Sequence, residues 1–211
     1  MKMNKVLIKI SIGLMLLSAV FAAQSADLEL RPSATVRFSP IKKVKLYLTP
    51  ELRFDYFELD KFLIEAEVKY SPLKYMDLGA SYKLVMNFKT DDPTEYIHRF
   101  AFYTGVSYKI DRYTPSVRIM IANYDEDEGI SNFMRYKAKL DYDIPKLKID
   151  PYISAELYHQ LSDGLYKMRY AIGADWRFTK DHSIGLSYKL DDYIDADKVK
   201  HIVGVGYTFK F

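Results

Sequence analysis

Residues 44–54 read Val44-Lys45-Leu46-Tyr47-Leu48-Thr49-Pro50-Glu51-Leu52-Arg53-Phe54, with one parity entirely apolar and the other almost entirely polar. An alternation with a period of two indicates a β-strand that has one face in an apolar environment. The fold class therefore depends on how often this pattern recurs and on what its apolar face contacts.

The same alternation recurs along the chain and predicts eleven strands. None of the apolar-parity positions carries Asp, Glu, Lys or Arg, although these residues make up 28% of the chain. Lys or Arg facing lipid costs about 2–4 kcal/mol at the bilayer midplane, which explains the exclusion. The segments are also long for a soluble sheet and suit tilted membrane strands. They lie at about 28–38, 43–55, 61–70, 75–88, 96–108, 113–124, 132–144, 147–160, 166–178, 183–190 and 198–211.

The ends of the strands support a membrane barrel over a soluble sandwich. Every descending strand ends on an outward aromatic residue, as in the interfacial girdle of a transmembrane barrel. The chain also closes on the alternating stretch 204–211, which resembles the C-terminal signal by which bacterial outer-membrane proteins are recognised for assembly. The girdle residues are Phe38, Tyr70, Tyr108, Tyr142, Phe178 and Phe211.

The predicted fold is an all-β, antiparallel up-and-down transmembrane barrel with short periplasmic turns and modest, acidic extracellular loops. Eleven strands conflict with the even number expected of a bacterial single-chain barrel. Pairing about a turn at residues 40 and 41 would place Pro32 opposite Pro50, and neither residue can donate a ladder hydrogen bond. We therefore expect residues 27–33 to leave the wall, which gives about ten strands; twelve is the alternative.

The first 26 residues have the features of a cleaved secretory signal peptide. A basic segment with Lys2, Lys5 and Lys9 precedes the apolar stretch 10–22 and small residues that suit cleavage. Residues 27–211 then form one barrel domain.

The chain carries 31 Lys and Arg against 28 Asp and Glu. The three lysines of the leader account for this excess of positive charge, so nucleic-acid binding has no support. The absence of cysteine excludes a disulfide scaffold and a thiolate metal site.

The polar parity of the strands predicts a charged lumen. Bases outnumber acids from the fifth strand onward, which would favour anionic solutes, with selectivity set by bases such as Arg135 and Arg169. Internal pairing of these bases is an equal alternative. The predicted basic wall comprises Arg99, Arg118, Arg135, Lys137, Lys139, Lys148, Lys167, Arg169 and Arg177, and Lys189 shares its parity; the predicted lumen acids are Glu51, Glu65, Glu67 and Glu156.

Glycines within the strands all share the inward parity. We favour the interpretation that they give curvature and room for neighbouring Arg and Tyr side chains, with a cleared solute path as the alternative.

Asp125–Glu128 and residues 191–197 make the outer loops acidic. Solvated loops are the favoured interpretation, divalent bridging to lipopolysaccharide is the alternative, and we predict neither a metal site nor a cofactor.

Enzyme chemistry has weak support in the sequence. A barrel lipid hydrolase needs a nucleophile beside a histidine, and the best candidate is His159 near Ser162 and Asp163. We therefore predict a protein that is not an enzyme, with a lipid-modifying activity as a third hypothesis.

The layout resembles a family of small uncharacterised outer-membrane barrels known only as a domain of unknown function. The resemblance rests on Glu51-Leu52-Arg53-Phe54, the repeated hairpins and the terminal Phe211. The chain is also similar to monomeric oligosaccharide porins with a basic lumen in its size, in the alternation of apolar and polar residues, and in its last strand. These resemblances imply a barrel in the bacterial outer membrane and assign no activity.

Two functions follow as expectations. The first is a narrow passive channel for small solutes, with anions favoured. The alternative is a closed structural or partner-binding barrel that acts through its loops. The expected partners are outer-membrane lipid and lipopolysaccharide, the barrel-assembly machinery through the C-terminal strand, and an envelope protein of unknown identity.

Overall fold

The computed structural model describes residues 27–88, 93–126, 129–194, 196 and 198–211, and the predicted leader lies outside them. These residues form eleven strands and one closed barrel, which confirms the predicted fold class. The strands are β1 (Asp27–Ile41), β2 (Val44–Asp55), β3 (Glu58–Leu73), β4 (Met76–Asn87), β5 (Glu95–Ser107), β6 (Tyr113–Glu126), β7 (Gly129–Tyr142), β8 (Ile149–Gln160), β9 (Gly164–Arg177), β10 (His182–Tyr193) and β11 (Lys198–Lys210). The described part of the chain contains no helix long and apolar enough to cross a membrane.

All neighbours in the chain pair antiparallel, whereas β1 and β11 close the barrel as a parallel pair. Parallel closure follows from the odd number of strands, because the first and last strands then run in the same direction. The parallel ladder includes every residue from Asp27 to Arg37. The expectation that residues 27–33 leave the wall is therefore wrong, and the wall has eleven strands.

The register between β1 and β2 explains why the proline argument failed. The turn lies at residues 42 and 43, and the pairs Leu30–Phe54 and Ser33–Glu51 place Pro32 opposite Leu52 instead of Pro50. Pro32 is also paired with Val205 on its other side. The two residues that lack a backbone N–H donor, Pro32 and Pro50, are therefore not opposite each other, and β1 remains paired in the wall.

The connections at the two ends of the barrel are of similar length, because several strands continue beyond their predicted ends. The connection from β2 to β3 consists of Tyr56 and Phe57 alone, with φ values of 44° and 70°. Positive φ at both central residues is the geometry of a type I′ hairpin turn. The end with the turns 42–43, 74–75, 108–112, 143–148 and 178–181 is called the turn end below, and the opposite end is called the loop end.

Apolar side chains cover the outside of the wall. Leu48, Phe102, Val117 and Ile153 alternate with inward polar residues and are 50–62% exposed. Such an exposed apolar surface is expected of a barrel that lies in lipid. Inside, at the loop end of β3 to β5, an apolar cluster of Leu63, Val85 and Ile97 is almost completely buried.

Candidate functional site

The polar parity of the strands lies inside the barrel, as contacts between strands that are not neighbours demonstrate. Tyr103 on β5 donates a hydrogen bond of 2.6 Å to Glu67 on β3. Arg118 on β6 lies 3.5 Å from Glu156 on β8. Each contact passes over one intervening strand, which side chains can do only on the concave side of the wall. The lumen is therefore the candidate site.

Glu156 lies at the centre of one cationic cluster. Its carboxylate is 2.6 Å from the Arg135 guanidinium and 3.5 Å from that of Arg118. Two cations lie over the ring of the neighbouring Tyr158. The Arg135 guanidinium carbon is 4.5 Å from the ring centroid, and the Lys167 ammonium is 5.0 Å from it. Both Glu156 and Tyr158 are only 3% exposed. Ion pairing and cation–π contacts thus hold this part of the lumen together.

Asp191 is the centre of a second cluster, which the sequence analysis had placed in a loop. Arg169 donates to both of its carboxylate oxygens, at 2.5 Å and 2.6 Å, in a bidentate pair. Lys167 lies 3.5 Å away on the same strand as Arg169. Asp191 is 1% exposed, so its charge depends on these two cations.

A third cluster joins the first two strands to the last. Glu29 pairs with Arg31 and, at 2.8 Å, with Lys200 of β11. Arg53 lies 3.8 Å from Glu29 and 2.8 Å from Glu51. Of these residues the sequence analysis had singled out only Glu51 as a site residue, because sequence spacing does not reveal that β1 and β11 are neighbours.

Two further predicted lumen residues, Lys139 and Glu65, are also ion-paired. Lys139 is 2.6 Å from Asp141, and Glu65 is 3.0 Å from Lys83. Arg99 is buried in the wall of β5.

Arg177 and Lys148 lie near the turn end. Arg177 lies 2.9 Å from Asp150 and 3.2 Å from Asp143. The Lys109 ammonium, which donates a hydrogen bond to Asp143 from the adjacent turn, lowers the pKa of that carboxyl. Lys148 was predicted on the wall, but it lies before β8 in the turn 143–148, exposed and with φ of 53°.

Two lumen lysines differ from the other bases. Among the residues that the structure describes, neither Lys137 on β7 nor Lys189 on β10 has a carboxylate within ion-pair distance. The charges that act on Lys189 are those of Arg31, Arg169 and Lys137 from three other strands, together with the carboxylate of Glu51, which lines the same cavity. Its surroundings are therefore predominantly cationic, and the two ammonium groups are available to a solute anion.

The described residues line cavities on opposite walls of the lumen. One of about 170 Å³ is lined by β1, β2 and β8 to β11, and Arg31, Tyr152 and Lys189 contribute to it. The other, of about 200 Å³, is lined by β3 to β7, including Lys83 and Arg118. The ion-paired clusters fill much of the remaining space, so any path for solute is narrow.

Glycines make room for lumen tyrosines. A Cβ at Gly79 would collide with the Tyr103 ring, and one at Gly173 would lie 2.6 Å from the Tyr152 ring. At these two positions the glycines therefore give room for neighbouring Tyr side chains, which is the interpretation that the sequence favoured. The rings occupy the space that the glycines leave, so this space is not an open path.

The six predicted girdle aromatics all lie where strands meet the turn end. Phe38 and Tyr70 are in β1 and β3, and both are more than 40% exposed. Phe178 and Phe211 follow directly after β9 and β11. Tyr142 ends β7, and its ring packs against that of Tyr113 at 5.0 Å, while Tyr108 follows β5.

No catalytic triad forms around His159. Ser162 donates a hydrogen bond of 2.6 Å to Asp163, but among the described residues no hydrogen bond joins His159 to either. The other three histidines each pair with a tyrosine on the outer face, an arrangement that the sequence analysis missed: His98 with Tyr82, His182 with Tyr207 and His201 with Tyr188. Nor do the described residues include a group of three or more potential metal ligands.

Comparisons with known proteins agree with the porin-like barrel. The chain is similar to the NanC porin in its rhombohedral crystal form, with a TM-score of 0.59 and 12% identity over 87% of this chain and 97% of that one. A chain from work on in-meso crystallisation of membrane proteins matches with a TM-score of 0.43 and 12% identity, over 82% of this chain and 78% of that one. None of the curated proteins matches the sequence. Residues 30–198 match DUF2490, described as a protein of unknown function, and the chain belongs to this family.

Proposed function

We propose that this protein is a narrow passive channel of the bacterial outer membrane that favours small anionic solutes. The porin-like membrane barrel supports a channel in general terms. The observation that carries the anion preference is the pair Lys137 and Lys189, since both lie in the lumen and no described carboxylate lies within ion-pair distance of either, although Glu156 and Glu51 act on them from farther away.

This assignment moves selectivity away from the bases that the sequence analysis favoured. Arg135 is held by Glu156, and Arg169 is held by Asp191. A paired guanidinium presents little net charge to a passing ion, whereas an ammonium without an ion-pair partner leaves its hydrogen-bond donors open to an anion. Lys189 also lines the cavity of about 170 Å³, where an anion could stop beside it.

The size of the effect can be estimated from Coulomb's law. One unit charge about 8 Å from a passing anion contributes about 2 kcal/mol at an effective dielectric constant of about 20. Screening over a Debye length of about 8 Å reduces this to roughly 0.8 kcal/mol in physiological salt. Loss of both lysine charges then lowers the entry of anions roughly tenfold and raises that of cations, so the preference for anions over cations falls by at least about tenfold.

The test is a reversal-potential measurement on the refolded barrel in planar bilayers under a salt gradient. We expect wild-type protein to conduct with chloride favoured over potassium, and Lys137→Gln/Lys189→Gln to lower this preference by at least about tenfold. Lys42→Gln/Lys74→Gln, which removes the same charge from two turns, is the matched control. An unchanged reversal potential in the lumen variant would contradict the proposal.

A closed barrel that acts through its loops is the second candidate. The observation that favours it is the filling of the lumen by buried ion pairs, with Glu29, Glu156 and Asp191 each contacted by at least two cations. This candidate expects no conductance from wild-type protein and co-purification of lipopolysaccharide or an envelope protein. Loss of the bound component on neutralising Asp192, Asp195 and Asp197, with the buried Asp191 left in place, would support it.

A further inference from the structure

The outer face of the wall has one large concavity, over β5 to β9. Its volume is about 720 Å³, and apolar side chains form most of its lining. We call it the lipid-face groove and define it by the cross-strand row Val106, Val117, Ala138, Ala155 and Tyr170, in which each residue is paired with the next.

The sequence explains the depth of the groove. Ala138 and Ala155 are direct partners on β7 and β8, and they form a floor in the middle of the row. The positions next to this floor on its two sides along β7 carry Tyr136 and Leu140, which rise above it. At the two ends of the row, Val106 and Tyr170 are about half exposed and form its sides.

The dimensions of the groove fit lipid chains in one leaflet. The row crosses five strands that lie about 4.8 Å apart, which gives a length of about 19 Å. Because the strands are tilted by about 40°, this row rises by about 12 Å along the membrane normal. One leaflet of hydrocarbon is about 15 Å thick, so the groove lies within one leaflet. The groove lies in the half of the barrel near the turn end, where Tyr108 and Pro115 complete its lining.

The charge at the turn end of the groove selects the headgroup. The turns 108–112 and 143–148 connect four of the strands that line the groove, and they carry exposed Arg112, Lys146 and Lys148. Of the two acids in these turns, Asp143 is engaged by Lys109 and Arg177, and Asp111 acts on Arg112. The turns therefore keep four bases against two acids. An apolar groove that ends at a cluster of exposed cations is complementary to a lipid with an anionic headgroup.

We propose that the lipid-face groove binds one anionic phospholipid, with its acyl chains over Ala138 and Ala155 and its phosphate at Arg112, Lys146 and Lys148. This site is independent of conduction through the lumen and would exist in an open or a closed barrel. It requires only that the barrel spans a membrane.

Native mass spectrometry of the barrel, extracted from membranes, delipidated and titrated with single lipids, tests the groove. We expect wild-type protein to bind one phosphatidylglycerol at least tenfold more tightly than phosphatidylethanolamine with the same chains. Ala138→Leu/Ala155→Leu fills the floor and should lose this tight site. Ala66→Leu/Ala80→Leu is the control, because these alanines also face outward but lie outside the groove.

A second pair of variants tests the headgroup site without changing the apolar floor. Lys146→Gln/Lys148→Gln should bring phosphatidylglycerol affinity to that of phosphatidylethanolamine, whereas Lys42→Gln/Lys74→Gln should leave the tenfold preference intact. Heat-dependent gel mobility establishes that each variant is folded. The proposal is overturned if folded Ala138→Leu/Ala155→Leu binds phosphatidylglycerol as wild type does, or if wild type shows no lipid preference. It is also overturned if filling the groove abolishes a dimer instead of a lipid adduct.

Discussion

Replacement of Asp191 by asparagine should destabilise the barrel far more than the same change at its neighbour. Asp191 accepts two hydrogen bonds from Arg169, at 2.5 Å and 2.6 Å, and lies 3.5 Å from Lys167. Asp191→Asn leaves both cations without their carboxylate. Loss of one partner of a buried pair costs about 3–5 kcal/mol.

The exposure of the partners places the expected value at the lower end of that range. The Arg169 and Lys167 side chains are 16% and 6% exposed, so lumen water partly screens the released charges. We therefore expect the free energy of unfolding to fall by about 3 kcal/mol for Asp191→Asn. Asp192→Asn is the matched control, because Asp192 is exposed and should change stability by less than about 0.5 kcal/mol.

The measurement is equilibrium urea unfolding in phospholipid vesicles, followed by the fluorescence of Trp176, the single tryptophan. A double-mutant cycle with Arg169→Gln should give a coupling energy of at least about 1 kcal/mol, since the two residues share hydrogen bonds. The reasoning would be refuted by a loss below about 1 kcal/mol for Asp191→Asn, or by equal losses for the two aspartates.

Two further changes test local geometry by the same unfolding assay. Tyr56→Asn/Phe57→Gly should raise the free energy of unfolding by about 1–2 kcal/mol, because both residues have positive φ and Asn-Gly is the preferred pair of a type I′ turn; no gain would argue against strain at this turn. Gly79→Ala should cost about 1–3 kcal/mol, because its methyl group meets the Tyr103 ring, whereas Gly105→Ala has its nearest contact at an ordinary 3.5 Å. Equal losses at the two glycines would contradict this packing argument.

The fold was predictable because its signal repeats in every strand. The period of two identifies the wall, and the absence of charge on one parity identifies lipid as its outer neighbour. Strand ends were less predictable: Tyr56 and Phe57 carry no turn signature, so sequence reasoning assigned a longer loop at 55–61. The β1 and β2 register was also missed, since it depends on the turn at residues 42 and 43.

The sequence predicted which residues face the lumen, but it did not predict which of them form ion pairs with one another. Sequence parity places Arg135, Lys137, Arg169 and Lys189 in the lumen without distinguishing them. Whether a base meets an acid depends on how far neighbouring strands are staggered, which no local pattern records. The two arginines pair with carboxylates in the structure, while no described carboxylate pairs with the two lysines.

The odd strand number makes closure depend on contacts at both chain ends. A parallel ladder is slightly less stable per residue than an antiparallel one, and Pro32 contributes no donor to it. Gly204 and Gly206 of β11 add no side chains that could fix the register. That specificity comes from side-chain and backbone contacts between the two strands. They include the ion pair of 2.8 Å between Glu29 and Lys200, that of 3.8 Å between Asp27 and Lys200, and the hydrogen bond of 2.9 Å from the Phe211 amide to the Arg37 carbonyl. Because a slip of one residue would move the apolar parity of β1 into the lumen, these contacts also keep the apolar side chains of β1 on the lipid face.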